Sequence, residues 1–123
     1  MGSIKAVFDT DILIDYLRGV PQAKIELDRY LDKAISVITW MEIMVGTTES
    51  NRDETRSALL DFLCLPITMD VAERAASIRN QRNIKLPDAI IQATSEVGER
   101  LLVTRNVRDF SDEDPGVRIP YQI

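Results

Sequence analysis

The chain has 123 residues, of which 45% are hydrophobic and 28% charged, and this composition is typical of one globular domain spanning residues 1–123. It has no histidine and one cysteine, which excludes histidine-dependent triads, histidine-ligated zinc sites and internal disulfides. The net charge of −5 argues against a nucleic-acid surface built on positive charge alone. With no apolar run long enough to span a bilayer and no signal pattern, we expect a cytoplasmic protein without membrane association.

Apolar runs and helical spacing alternate along the chain. Short apolar runs predict strands at 4–8, 35–38, 66–68, 101–104 and 117–119. Helical spacing predicts helices at 11–18, 21–31, 39–46, 51–65, 70–82 and 88–96, with Asp11, Thr39 and Asp70 at three of the helix starts. Cys64 lies within the apolar stretch 60–65 and is interpreted as a small buried hydrophobe.

Strands that alternate with helices predict an α/β fold, with a mainly parallel sheet and helices on both faces. Ligands of such sheets bind beyond the carboxyl ends of the strands. Asp9 directly follows the first strand, and Glu42 lies one helical turn after the second. Asp109 follows the fourth strand, and Asp88 lies in the first turn of the helix before it. We therefore expect four acids to meet at one sheet edge.

Three of these acids also have a purely structural interpretation. Thr39 and Glu42 have the spacing of a capping box, and Asp88 suits the first turn of a helix. Asn106 and Asp109 have the spacing of a cap and its third residue. Taken singly, capping is the simpler explanation for each. Taken together, clustered carboxylates repel one another strongly in a low dielectric, and a divalent cation relieves that repulsion.

The donor set indicates which metal and which chemistry to expect. Without imidazole or a thiolate cluster, the ligands are hard oxygens, which suit Mg²⁺ or Mn²⁺. Neither an EF-hand loop nor a phosphate-binding P-loop motif occurs in the sequence. Hard metals held by carboxylates at the edge of an α/β sheet suit the hydrolysis of phosphodiesters.

Four sequence blocks, in order and at the expected intervals, resemble those of the PIN-domain family. The match is to VapC-type toxins of bacterial type II toxin–antitoxin pairs. It covers essentially the whole chain, through DTD at 9–11, SVITWME at 36–42, LPDAIIQAT at 86–94 and LVTRNVRDF at 102–110.

The resemblance implies a PIN-like three-layer α/β/α fold with about five strands. It also implies an endoribonuclease that depends on Mg²⁺ or Mn²⁺, cleaves structured, tRNA-like RNA, and is neutralised by a cognate VapB-type antitoxin. A homodimer is expected, which the antitoxin joins into a heterotetramer or a larger assembly. The catalytic roles carry over onto Asp9, Glu42, Asp88 and Asp109, with Asp9, Asp88 and Asp109 as metal ligands and Glu42 acting through water.

Other residues are expected in supporting roles, some by the same resemblance and some by their position near the acids. Thr10, Asp11, Thr104 and Asn106 are expected around the acids. Family members place the fourth acid at either the Asn106 or the Asp109 position, and they usually have Asn where this chain has Asp11. Candidate RNA contacts are Arg82, Lys85, Arg105 and Arg108, whose alternative is a solvated helix face. Candidates for an antitoxin groove on the first helix are Ile12, Leu13, Tyr16 and Leu17.

Two other classes of function stay open at this point. One is a PIN nuclease in RNA processing or DNA cleavage outside toxin biology. The other is a non-catalytic interaction module in which the acids only cap helices. A neighbouring antitoxin gene would favour the toxin, and a change in thermal stability with metal would separate a metal site from a set of caps.

Overall fold

The computed structural model describes residues 4–123, so the first three residues of the expected 1–123 domain lie outside it. Strands and helices alternate along the described range. In chain order they are β1 (Lys5–Phe8), α1 (Thr10–Leu17), α2 (Pro21–Leu27), β2 (Asp32–Ser36), α3 (Val37–Val45), α4 (Arg52–Leu59), β3 (Leu63–Leu65), α5 (Met69–Gln81), α6 (Leu86–Val97), β4 (Leu101–Val103) and β5 (Val117–Arg118). No helix among residues 4–123 is long and apolar enough to cross a membrane.

The five strands form one parallel sheet in the order β3-β2-β1-β4-β5. β1 lies at the centre, with Ala6 opposite Leu101 and Phe8 opposite Val103 of β4. Its other neighbour is β2, where Lys5 pairs with Asp32. Because all strands run in one direction, the loops that follow β1, β2 and β4 leave the sheet at the same edge.

Successive residues of β1 point to opposite faces of the sheet, as they must in any strand. Ala6 and Phe8 pack with apolar residues of α1 to α4, whereas Val7 packs with Ile91 of α6. A further buried cluster joins α5 to α6. The result is the expected three-layer α/β/α architecture, whose connections change face between β1 and β4. Parallel sheets bind ligands at such switch points.

The second strand and the helix after it begin earlier than predicted. β2 covers Asp32–Ser36 instead of 35–38, and α3 begins at Val37 instead of Thr39. Ser36 caps α3 by accepting a hydrogen bond from the backbone N–H of Ile38 at 3.2 Å. The predicted capping box of Thr39 and Glu42 is therefore wrong, because both residues lie inside the helix.

The third strand was also misplaced. The structure ends α4 at Leu59 and places β3 at 63–65, within the predicted helix 51–65 and before the predicted strand at 66–68. β3 is an edge strand with a mostly exposed face, and Cys64 on it is exposed. The prediction that Cys64 is buried is wrong, since an apolar run at a sheet edge is covered on one side only.

Two predicted helix caps are corrected as well. α1 is capped by Asp9, not Asp11, because the Asp9 carboxylate accepts a hydrogen bond from the backbone N–H of Thr10. α5 is capped by Thr68, not Asp70, through a hydrogen bond from the N–H of Val71. In both cases the helix begins one residue before the predicted cap, and the observed cap lies two residues before it.

Candidate active site

The carboxyl edge of the sheet brings together acids from distant parts of the chain. Asp9 follows β1, Glu42 lies on α3, Asp88 is the third residue of α6, and Asp109 lies in the loop after β4. The negative charge of Asp88 raises the pKa of Asp9, and the charges of Asp109 and Glu42 raise that of Asp88. The four predicted acids therefore lie within electrostatic range of one another.

Asp9 is 5% exposed, and both of its carboxylate oxygens accept hydrogen bonds. The backbone N–H of Thr10 donates to Oδ1 at 2.7 Å, and the hydroxyl of Thr104 donates to Oδ2 at 2.8 Å. These bonds favour the charged form, but burial and the nearby Asp11 and Asp88 outweigh them and raise the pKa of Asp9 to about 7. Asp9 is thus both a helix cap and a carboxyl poised to titrate near neutrality.

Asp11 lies in the first turn of α1 and faces the loop after β4. Its carboxylate accepts the backbone N–H of Arg105, with donor–acceptor distances of 3.2 and 3.4 Å to its two oxygens. Burial raises its pKa to about 6, against the lowering effect of that hydrogen bond and of the Arg105 charge. The extra negative charge at this position is therefore held next to Asp9.

Glu42 is oriented by a residue of another helix. The hydroxyl of Thr10 lies 2.8 Å from Glu42 Oε1 and 2.9 Å from the hydroxyl oxygen of the buried Thr39. Thr39, which was predicted to cap a helix, instead contacts the Thr10 hydroxyl next to Glu42. The contact turns Glu42 towards the start of α1, where Asp9 lies.

Asp88 and Asp109 are neighbours at the site. Burial is the largest cause that raises the pKa of Asp88, followed by the charge of Asp109 and a hydrogen bond with it, whereas Lys85 lowers it. Asp109 is held by Asn106, whose side-chain amide donates to Asp109 Oδ2 at 2.9 Å while Asn106 Oδ1 accepts the backbone N–H of Asp109 at 3.3 Å. Asn106 and Asp109 therefore lie in one turn. Asn106 caps this turn as its spacing predicted, and Asp109 still lies at the site.

Among residues 4–123, no three acidic or cysteine side chains are arranged as a ready-made metal-ligand set. Hydrogen bonds hold three of the four predicted acids. Thr104 and Thr10 hold Asp9, Thr10 holds Glu42, and Asn106 holds Asp109.

An open cleft of about 610 Å³ lies beside Asp88 and Asp109. It is lined by residues before α6 and after β4, and all but one of the predicted RNA contacts border it: Lys85, Arg105 and Arg108. Lys85 and Arg108 are exposed, and neither forms an ion pair with any residue in the described part of the chain. Both side chains are therefore available to bind a polyanion.

The other two predicted RNA contacts have their guanidinium groups engaged within the protein. Arg82 donates to the side chain of Gln92 and to the backbone carbonyl of Asp109, and it stacks on the Phe110 ring at 5.4 Å. Arg105 forms an ion pair with Asp15. Both side chains hold the loop after β4, a role that local charge patterns do not reveal.

The predicted antitoxin groove is wrong for two of its four residues. Ile12 and Leu13 are fully buried in the core under α1, because they face the sheet. Tyr16 is half-buried, and Leu17 is exposed at the border of a separate groove of about 450 Å³ between α1, α3 and α4. That groove also reaches Glu42.

Two residues that matter for the site, Asp15 and Tyr121, were missed by sequence reasoning. Asp15 is 3% exposed, and it accepts hydrogen bonds from Arg105 and from the Tyr121 hydroxyl. One feature of the sequence could have identified Asp15. It is an acid between Ile12, Leu13 and Tyr16 on the inward stripe of α1, where a charge requires a partner.

Known proteins resemble this chain in sequence. The PIN-domain family model matches residues 6–113. Ribonuclease VapC10 of Mycobacterium tuberculosis is 34% identical over 110 residues, which cover 83% of each chain. Ribonuclease VapC19 of the same organism is 28% identical over 124 residues, covering 94% of this chain and 98% of the relative.

Solved structures agree with the sequence comparison. A toxin–antitoxin complex from Klebsiella pneumoniae contains a chain that is 45% identical and superposes with a TM-score of 0.90, covering 97% of this chain and 100% of that one. The FitAcB structure from Neisseria gonorrhoeae is 25% identical, with a TM-score of 0.78 and coverages of 96% and 99%. The chain therefore belongs to the PIN-domain family and, within it, to the VapC-type proteins.

Proposed function

We propose that this protein is a metal-dependent endoribonuclease toxin that cleaves structured RNA and is neutralised by a VapB-type antitoxin. The observation that carries the proposal is the meeting of Asp9, Glu42, Asp88 and Asp109 at the switch point of a parallel sheet. Burial and mutual repulsion raise the pKa of Asp9 and of Asp88. Acids that only capped helices would not be gathered in this way. The ribonuclease names of the VapC relatives support the same reaction.

The residues present fit a divalent cation. None of the four acids forms an ion pair with a cationic residue among those described. Their hard oxygens suit Mg²⁺ or Mn²⁺. Asp9, Asp88 and Asp109 would hold the ion, with Thr104 and Asn106 orienting two of them. When bound, such an ion activates water and neutralises the charge that develops on a phosphodiester.

The surroundings of the acids favour a nucleic-acid substrate, and the ribonuclease names of the VapC relatives favour RNA. Lys85 and Arg108 border the same cleft as Asp88 and Asp109, and neither has an ion pair among the described residues. Phosphates would contact these cations while the acids face the scissile bond. A tRNA-like fold of the RNA rests on the family resemblance and stays a prediction.

The groove between α1, α3 and α4 fits an antitoxin segment. Leu17, Ile14 and Ile43 supply apolar contacts, and Glu42 brings the groove to the acids. A basic side chain of the antitoxin could reach the acids from there and take the place of the cation. The toxin–antitoxin complex from Klebsiella pneumoniae supports such a partner. A homodimer, joined by the antitoxin into a heterotetramer or a larger assembly, stays a prediction.

The first experiment measures thermal stability and RNA cleavage in Mg²⁺, in Mn²⁺ and in EDTA. We expect each metal to raise the melting temperature of the wild type and to support cleavage, and EDTA to abolish both effects. Asp88→Asn should lose both responses. Asp70→Asn, which changes an exposed acid in the first turn of α5, should keep them. Cleavage at full rate in EDTA would exclude the metal.

A second experiment addresses the biological class. RNA 5′ ends are sequenced after induced expression of the wild type and of Asp9→Asn. A toxin should produce new ends in a small set of RNAs and arrest growth, and the variant should do neither. Broad trimming of precursor ends without growth arrest would instead identify an RNA-processing nuclease.

A further inference from the structure

We infer that Arg105 is a positioning residue that fastens the loop carrying Asn106 and Asp109 to α1 through Asp15, and that it does not contact RNA. The inference refines the proposed function, because its kinetic consequences rest on that function. It reassigns one of the cationic residues at the cleft, and it gives a role to a buried acid that the proposed chemistry does not use.

The ion pair between Arg105 and Asp15 is a two-bond fork. Arg105 Nε donates to Asp15 Oδ2 at 2.6 Å, and Nη2 donates to Oδ1 at 3.1 Å. The Tyr121 hydroxyl donates to the same Oδ2 at 2.7 Å. Such a bidentate pair fixes the orientation of the guanidinium as well as its distance. Asp15 thereby joins α1, the loop after β4 and the C-terminal segment at one buried point.

The main chain of Arg105 is fastened to the same helix. Its N–H donates to the Asp11 carboxylate, one helical turn before Asp15. The residue before it is Thr104, whose hydroxyl donates to Asp9, and the residue after it is Asn106, which holds Asp109. Arg105 thus lies between the two residues that orient predicted metal ligands. A shift of its backbone would move both.

The charge of Arg105 is consumed by these contacts. Asp15 and Asp11 both act on its guanidinium, and the hydrogen bond with Asp15 raises the pKa of Arg105 further above its ordinary range. A phosphate approaching Arg105 would therefore meet one positive and two negative groups. Arg108 has no ion pair within the described residues and offers an uncompensated charge instead.

The experiment compares steady-state kinetics on one RNA for Asp15→Asn, Arg105→Gln, Arg105→Lys and the double variant Asp15→Asn with Arg105→Gln. We expect each single variant to lower kcat by about tenfold to a hundredfold with KM changed by less than about twofold, because misplacing catalytic groups by about 1 Å has effects of that size. The double variant should be no slower than the slower single variant, since both changes remove the same interaction.

Two variants serve as controls. Arg105→Lys keeps the charge but loses the fork, so a positioning role predicts a loss of kcat, whereas a phosphate contact predicts near-normal kcat. Arg108→Gln should act on KM and should reduce the dependence of RNA binding on salt. A raised KM with normal kcat in Arg105→Gln, together with an unaffected Asp15→Asn, would overturn the inference in favour of direct RNA contact.

A readout without RNA separates this inference from the proposed function. In Asp15→Asn, backbone amides at 105–109 should exchange with deuterium at least about tenfold faster than in the wild type, while those of α6 keep their rates. If Asp15→Asn does not fold, Tyr121→Phe removes one hydrogen bond and should show the same pattern at smaller size. Unchanged exchange would overturn the inference. If the wild type does not cleave RNA but Asp15→Asn shows the expected faster exchange, only the proposed ribonuclease activity is overturned.

Discussion

Two regions of the molecule bury acids in opposite ways. Asp15 and Glu26 are each 3% exposed, and each accepts a forked arginine and a tyrosine hydroxyl: Arg105 and Tyr121 for the first, Arg118 and Tyr30 for the second. Burial works to raise the pKa of Asp15 and of Glu26, but these partners outweigh it and hold both values below their ordinary range.

Asp9 is buried almost as deeply, at 5% exposure, but it has only neutral donors. Its neighbours are other acids, and its pKa rises to about 7. Burial alone therefore does not distinguish a structural acid from a functional one in this chain. The sign of the partner does, because a charge left unpaired in the interior is retained only where it serves a ligand or a reaction.

The largest expected effect tests the unpaired acid. Asp9→Asn should reduce RNA cleavage by more than about a thousandfold. Its free energy of unfolding should stay the same or rise, because Asn caps a helix as well as Asp does and the substitution removes repulsion. Cleavage assays and urea unfolding measure the two quantities, with Asp53→Asn in the first turn of α4 as the control. Strong destabilisation with retained cleavage would show that Asp9 is only a cap.

The next effect tests a paired acid. Glu26→Gln should lower the free energy of unfolding by about 2 kcal/mol or more, because it leaves Arg118 and Tyr30 without a charged partner. Cleavage per folded molecule should be unchanged, since α2 does not contribute to the site. Urea unfolding followed by circular dichroism measures the first quantity. A variant more stable than the wild type would mean that Arg118 and Tyr30 do not compensate the buried charge of Glu26.

The pH dependence of stability should separate the two regions. The folded protein holds the pKa of Asp9 at about 7 instead of 3.8, so between about pH 4 and 7 the folded state binds more protons than the unfolded state. Metal-free wild type should therefore lose stability as the pH rises through this window, by several degrees of melting temperature. Asp9→Asn should flatten that decline. A wild-type melting temperature that rises from pH 5 to 7 would contradict the raised pKa.

The smallest effect concerns a second arginine near Glu26. Arg29 lies 3.7 Å from Glu26, and its side chain is 57% exposed. Arg29→Gln should change the free energy of unfolding by less than about 0.5 kcal/mol, because solvent screens the pair and Arg118 still satisfies the acid. Thermal unfolding at low and high salt measures it. A loss as large as that of Glu26→Gln would mean that the fork of Arg118 is not what stabilises Glu26.

Much of the fold could be predicted from local patterns. Hydrophobic residues repeat with different periods in strands and in helices, so both kinds of element could be recognised in the sequence. Their alternation along the chain predicted a parallel sheet, and the carboxyl edge of that sheet is where Asp9, Glu42, Asp88 and Asp109 were expected. The boundary between α4 and β3 was not, because the apolar run from Leu59 to Leu65 fits a helix face and an edge strand equally well. Caps were displaced by two or three residues for a related reason. Ser36 and Thr39 are both good helix caps, and tertiary packing decides which of them is used.

The pairing of charges could not be predicted either. Arg105 and Asp15 lie 90 residues apart in the chain, and nothing local to either distinguishes their pair from a solvated charge. Leu13 illustrates the same limit for apolar residues. The helical stripe that contains it could face a partner or the sheet, and only the three-dimensional arrangement showed that it faces the sheet.

The central position of β1 determines when, during synthesis, the groups that orient Asp9 can assemble. β1 is made before the other strands, but it pairs with β4, whose residues are made some 95 positions later, as in the register of Ala6 with Leu101. Asp9 also has to wait for Thr104, 95 residues downstream, and Asp15 for Tyr121. A nascent chain thus carries Asp9 without the groups that orient it until β4 has been made. A product that ended before β4 would lack those groups.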